Sequence, residues 1–253
     1  MDDGNSSLPR RPVFGRRQLL WLAGLASAAS LGAGRSLVFA APPKEAGLSF
    51  EGLLKNLPGF QPRELAPLPR AALVGLLSKQ QLERNYGVYK SAFAQLLEAE
   101  RALALAPRDG AHSVAYALLR KQQVAAANAV LLHEFYLRNL APAAVVPSRY
   151  IMANMREHMG SLEAWREDFI ACARVAEEWA VLVYDPYDDR WHNTALSASA
   201  AGGWIGGNPL IVCAVAEHAW SPDYPDRATY IARFLDHLDW GAVAERYRAV
   251  DRQ

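Results

Sequence analysis

Two consecutive stretches of this sequence carry an apolar residue at every third or fourth position, and only a short turn-forming link separates them. In the first, Leu82, Tyr86, Tyr89, Phe93, Leu96, Ala99 and Leu103 make one stripe, with Asn85 beside it. Ser78-Lys79-Gln80-Gln81 has the Ser-x-x-Gln spacing of a capping box, which satisfies free amides at a helix start. A helix is predicted from there to about Leu105, ended by Pro107, Asp109 and Gly110. In the second stretch Leu118, Ala125, Ala129, Leu132, His133 and Tyr136 share a face between Ser113 and Asn139. A Pro-Arg-Asp-Gly link between two such helices makes an antiparallel hairpin.

Pro142 and Pro147 then bracket a linker, and the pattern changes to helix plus strand. Ser148 to Met159 and Ser161 to Glu177 read as helices. Trp179 to Tyr184, Trp191 to Ser199 and Leu210 to Ala216 are mostly apolar, rich in β-formers and separated by turn residues, so three strands are predicted. Asp226 or Thr229 starts one closing helix with Tyr230, Phe234, Leu238 and Trp240 on its apolar side. Asp185-Pro186-Tyr187-Asp188-Asp189 lacks the alternating oxygens of a calcium loop and reads as a hairpin turn.

Residues 1–40 read as an address rather than as fold. Arg10, Arg11, Arg16 and Arg17 precede an uncharged stretch from Gln18 to Gly34, and Val38-Phe39-Ala40 offers small residues for cleavage. Gly15-Arg16-Arg17-Gln18-Leu19-Leu20 resembles a twin-arginine signal, which implies bacterial export to the periplasm or beyond. An uncleaved anchor is the alternative; a stretch so diluted by Gly, Ala and Ser is a poor membrane span. Residues 41–64 form a Pro-rich arm. Without residues 1–40 the balance is 22 Lys and Arg against 24 Asp and Glu, with no run of like charge, which argues against nucleic-acid binding. Cys172 and Cys213 make no disulfide framework and are expected as buried free thiols.

Four strings in order then narrow the field. Leu65-Ala66-Pro67-Leu68-Pro69 runs on to Leu77-Ser78 and Asn85-Tyr86-Gly87. His133-Glu134-Phe135-Tyr136 is followed by Leu140-Ala141-Pro142. Met159-Gly160-Ser161-Leu162 precedes Trp165 and Phe169, and Ala214-Val215-Ala216-Glu217-His218-Ala219-Trp220 closes the set. Together they resemble the iron/manganese superoxide dismutases over roughly residues 65–245. That resemblance implies an α+β fold: an N-terminal long helical hairpin (65–143), then a C-terminal domain (144–253) with a three-stranded antiparallel sheet and flanking helices. It also implies a paired subunit whose iron or manganese is held by three His and one Asp.

The ligand positions implied by the resemblance fall on Asn85, His133, Ala214 and His218, so two keep an imidazole and two do not. No His occurs before Gly110, and no Asp or Glu lies between Arg190 and Ala216. Cys213 is expected to face away from the side on which Ala214 lies, because strand side chains alternate. By the same resemblance Tyr89 stands where a His is usual, and Phe93 where a Tyr is. Ala129, Ser221 and Val181 replace polar or aromatic partners, Trp179 is kept, and the pocket is expected to be apolar. Glu217 and His218 are read as a homodimer contact, and His112, His158, His192 and His237 as solvated.

The expectation is an exported, dimeric protein of this fold, with no assigned catalytic residue, no confident cofactor and a binding or structural role. The alternative is a superoxide dismutase or other redox metalloprotein with a site rebuilt on His133, His218 and Glu217. An envelope-interaction module using the 41–64 arm is a third reading.

Overall fold

A computed structural model describes residues 65–68, 75–197 and 203–251; the expected signal and arm lie outside the described residues. Helix α1 (Lys79–Leu105) starts at Ser78, whose side chain accepts from the Gln81 amide nitrogen. Only half of the capping box forms. The Ser78 amide donates to Asp223 Oδ2 at 2.5 Å, and the Gln81 side chain works elsewhere. A single 3-10 turn at Gly110–His112 leads into α2 (Ser113–Arg138). Tyr89 Oη donates to Glu134 Oε1 (3.0 Å) and Gln123 Nε2 to Glu100 Oε1 (2.5 Å), so the partners move in opposite directions along the two helices. The hairpin is antiparallel.

Ser148 and Ser161 cap α3 (Arg149–Met159) and α4 (Leu162–Val175). Strands β1 (Trp179–Asp185), β2 (Arg190–Leu196) and β3 (Asn208–Ala214) form one antiparallel sheet in the order β2-β1-β3. Every residue of the central strand β1 is buried. The second strand, expected to reach Ser199, ends at Leu196, and the third takes in Asn208 and Pro209. Pro209 is tolerated because β3 lies at an edge of the sheet. A short helix not anticipated from the sequence, α5 (Glu217–Trp220), follows β3.

The closing helix is two helices, α6 (Arg227–Asp236), capped by Asp226, and α7 (Trp240–Val250), capped by Asp239. The break has a tertiary cause. Leu238 makes an antiparallel bridge with Leu140, while the Ala141 amide donates to His237 O and the Asp239 amide to Asn139 O, both at 2.8 Å. A backbone paired with another segment cannot continue a helical ladder.

The inner end of α2 packs against β3 and shares the core with β1 and α6. Tyr136 meets Trp179 edge-on at 6.3 Å, stacks with Phe234 at 6.2 Å, and accepts a hydrogen bond from Tyr230 Oη. Arg246 on α7 ties three elements together: its guanidinium donates to Asn139 Oδ1, Leu210 O and Phe135 O. Burial lowers its pKa to about 10, a cost these three acceptors offset.

Of the histidines expected to be solvated, one is buried and two are half-buried. His237 is 6% exposed, with Nδ1 donating to Arg233 O and its ring against Gly75, whose φ is +96°. His158 stacks on Trp191 at 5.1 Å and meets the Tyr247 hydroxyl at 3.0 Å. His192 is half-buried against Trp204, and His112 is exposed.

Candidate functional site

A cavity of about 190 Å³ lies between the hairpin and the sheet, and His133, Ala214 and His218 share its wall. His133 reaches it from α2, where Nδ1 lies 2.7 Å from the Ala129 carbonyl one turn back. A carbonyl only accepts, so Nδ1 carries the hydrogen and Nε2 keeps its lone pair. The edge of Trp179 packs against the ring at 4.8 Å. Burial pushes the His133 pKa below the ordinary imidazole value, helped by nearby His218 and opposed by the Ala129 carbonyl. His133 is therefore a neutral imidazole with an oriented acceptor.

The other positions differ. Ala214, at the end of β3, contributes a methyl group, while Glu217 and His218 on α5 are exposed. Asn85 is 2% exposed and its amide is turned to α5 rather than left as a donor. Its Nδ2 donates to Ala219 O at 2.9 Å and its Oδ1 accepts from Gln81 Nε2 at 3.2 Å. Gln81 Nε2 also reaches His218 O at 2.6 Å. Gln81 and Asn85 together clamp α1 to the α5 backbone.

The Tyr89 hydroxyl is likewise committed. It donates to Glu134 Oε1 and accepts from the Ala66 amide, while Tyr86 Oη donates to Ala66 O, which staples the 65–68 segment to α1. Burial, and next the Glu134 carboxylate, raise the Tyr89 pKa against the Ala66 amide. Phe93 packs edge-on against Tyr89. Cys213 is fully buried on the side of Tyr230, and burial pushes its thiol far up; half-buried Cys172 is pushed up to about 11. Both are free thiols.

The cavity wall is not purely apolar. Ser91, Gln95 and Glu178 also line it. Glu178 is the carboxylate that sequence reasoning misses, because that reasoning looks on the strand leading to Glu217. The side-chain direction of the residue before Trp179 is fixed only once β1 has its register. Yet three donors do not converge. Among the described residues, the one His, Cys, Asp and Glu group with ligand atoms within 4.8 Å of one another is Asp185, Asp188 and His192, outside this cavity. Its oxygens are already engaged by the Tyr187 amide, Trp204 Nε1, the Arg190 amide and His192 Nε2.

Iron or manganese needs neutral imidazoles and an anionic carboxylate converging on one point. Here one oriented imidazole, one exposed imidazole, a spent amide and a methyl group stand at the four positions. The residues at these four positions do not fit the ion.

Comparison with known proteins bears on the scaffold. Residues 147–246 match the iron/manganese superoxide dismutases, C-terminal domain. The chain is 32% identical over 119 residues to superoxide dismutase (Mn) 2 of Haloferax volcanii, covering 46% of this chain and 60% of that relative. It is 29% identical over 188 residues to the superoxide dismutase (Mn) of Haloarcula marismortui, 73% of this chain and 93% of the relative. To the superoxide dismutase (Fe) of Cupriavidus metallidurans it is 30% identical over 200 residues, 75% of this chain and 98% of the relative.

Proposed function

The chain belongs to the iron/manganese superoxide dismutase family, and from that premise we propose that it keeps the family scaffold without ordinary dismutase chemistry. It is an exported, dimeric protein that acts by binding or as a structural component. The observation that carries this reading is the state of Asn85: its Nδ2 is spent on the Ala219 carbonyl of α5 and its Oδ1 on Gln81 of its own helix, so the position is occupied by a structural role rather than left open for an ion. Ala214 supports it by offering no donor. Export is supported by the Arg16-Arg17 leader, and dimerisation by the exposed Glu217-His218 pair on α5, suited to an isologous contact.

Elemental analysis of protein purified from its native compartment tests the reading. Iron and manganese below about 0.1 atom per chain are expected, with superoxide removal no faster than the free metal gives. Stoichiometric iron or manganese overturns it.

One observation favours a second reading. Glu178 shares the cavity with His133 and His218, so two imidazoles and a carboxylate line one space, a set used by open iron sites. In that redox metalloprotein Glu178, not Glu217, is the carboxylate. Glu178→Gln then abolishes iron or manganese binding.

A further inference from the structure

The outer half of the hairpin is built differently from its inner half. Helix α2 starts at Ser113 but buries no side chain before Ala126. Its edge toward α1 is marked by Gln123, whose amide reaches Glu100. Away from that edge Val114, Ala117, Leu118, Lys121, Val124 and Ala125 recur at steps of three and four, which puts them on one side of the helix. Val114 is 74% exposed, Leu118 55% and Val124 51%, and Leu105 at the end of α1 is 69% exposed. Four large apolar side chains thus stand in water at the outer end of the hairpin.

Their surroundings are cationic. Between Leu105 and Val124 the chain carries Arg108, Arg120 and Lys121 against one carboxylate, Asp109, while Glu98, Glu100 and Arg101 lie further back on α1. That carboxylate is exposed as well and accepts from the His112 amide, with the His112 ring 2.7 Å away. Arg120 is laid along the helix by its bonds to Tyr116 Oη and Gln123 Oε1, which leaves its charge at the surface beside the stripe. With such exposures no walls rise around these side chains, so the surface projects rather than forming a groove. A second copy on this face would set Arg108, Arg120 and Lys121 against the same cations. A bilayer interface instead accepts a projecting apolar end with a cationic rim, the apolar groups entering at headgroup depth and the cations meeting phosphate.

We propose that the tip of the helical hairpin, from Leu105 to Val124, is a docking surface for an anionic phospholipid bilayer. The overall charge balance hides it because acidic residues elsewhere cancel the local excess.

Flotation of the full chain with vesicles of phosphatidylglycerol and phosphatidylcholine tests this, comparing the parent with Val114→Glu/Leu118→Glu and with Lys121→Glu. All three sites are exposed, and circular dichroism reports folding. The N-terminal residues are the same in every protein, so their contribution to flotation cancels in the comparison. The parent is expected to float, and each variant to partition at least about tenfold more weakly. Equal flotation of the parent and a folded variant overturns the proposal, as does a parent that ignores anionic vesicles. A fall in particle mass with Val114→Glu/Leu118→Glu, read by light scattering, assigns the face to a second copy of the chain and also overturns it.

Discussion

With its Nδ1 hydrogen committed to Ala129 and its ring against Trp179, His133 has a charge state set by burial. Its folded pKa is lowered, so between that value and about 6.5, the ordinary value for an unfolded histidine, the unfolded chain binds more protons than the folded one. Stability therefore rises with pH in that window and is lost as pH falls below about 6.5. His158, also lowered by burial, acts in the same direction. Thermal melts at pH 7.5 and 5.0 are expected to show a drop on acidification that is smaller in His133→Gln. An equal drop in both proteins would mean that His133 takes up its proton in the fold at no cost. At this scale the sequence order of the motifs was enough to bring His133, Ala214 and His218 to one cavity. Glu178 was not legible, since its position depends on β-sheet register, and neither was the buried His237, held by a loop contact with Gly75.

At the scale of elements, the contact between α1 and α5 rests on two buried amides. Asn85→Ala removes the donor to Ala219 O and the acceptor of Gln81 Nε2 while leaving both groups buried. A loss of about 2–3 kcal/mol in urea unfolding is expected; a loss under about 0.5 would show that α5 is held by something else. The hairpin helices, α3, α4 and the three strands could be read from periodicity, because each is long enough to show its period and ends at Ser, Asp, Gly or Pro. The split between α6 and α7 could not. Tyr230, Phe234, Leu238 and Trp240 keep an acceptable helical spacing, and what breaks the helix is pairing with 139–141, remote in sequence. Likewise the Ser78-x-x-Gln81 signature correctly located the start of α1 but not the use of Gln81, which a partner from α5 decides.

On the scale of the whole molecule, family membership and the α+β scaffold came through together, because the matching strings are spread over both the hairpin and the sheet. Assembly is the open variable. If Glu217 and His218 meet a second copy, the contact is self-complementary and a single charge change acts twice. Glu217→Lys is expected to convert the full chain from a dimer to a monomer of 27.8 kDa in light scattering; an unchanged mass rules the pair out as the contact. The Asn85 clamp also limits what one substitution can do. Changing Asn85 to His severs the bond to Ala219 before any ion is there to compensate. Changing Ala214 to Asp first buries a carboxylate with no counter-charge. Either substitution alone costs stability, so a metal-holding set could be installed here only by making both changes together.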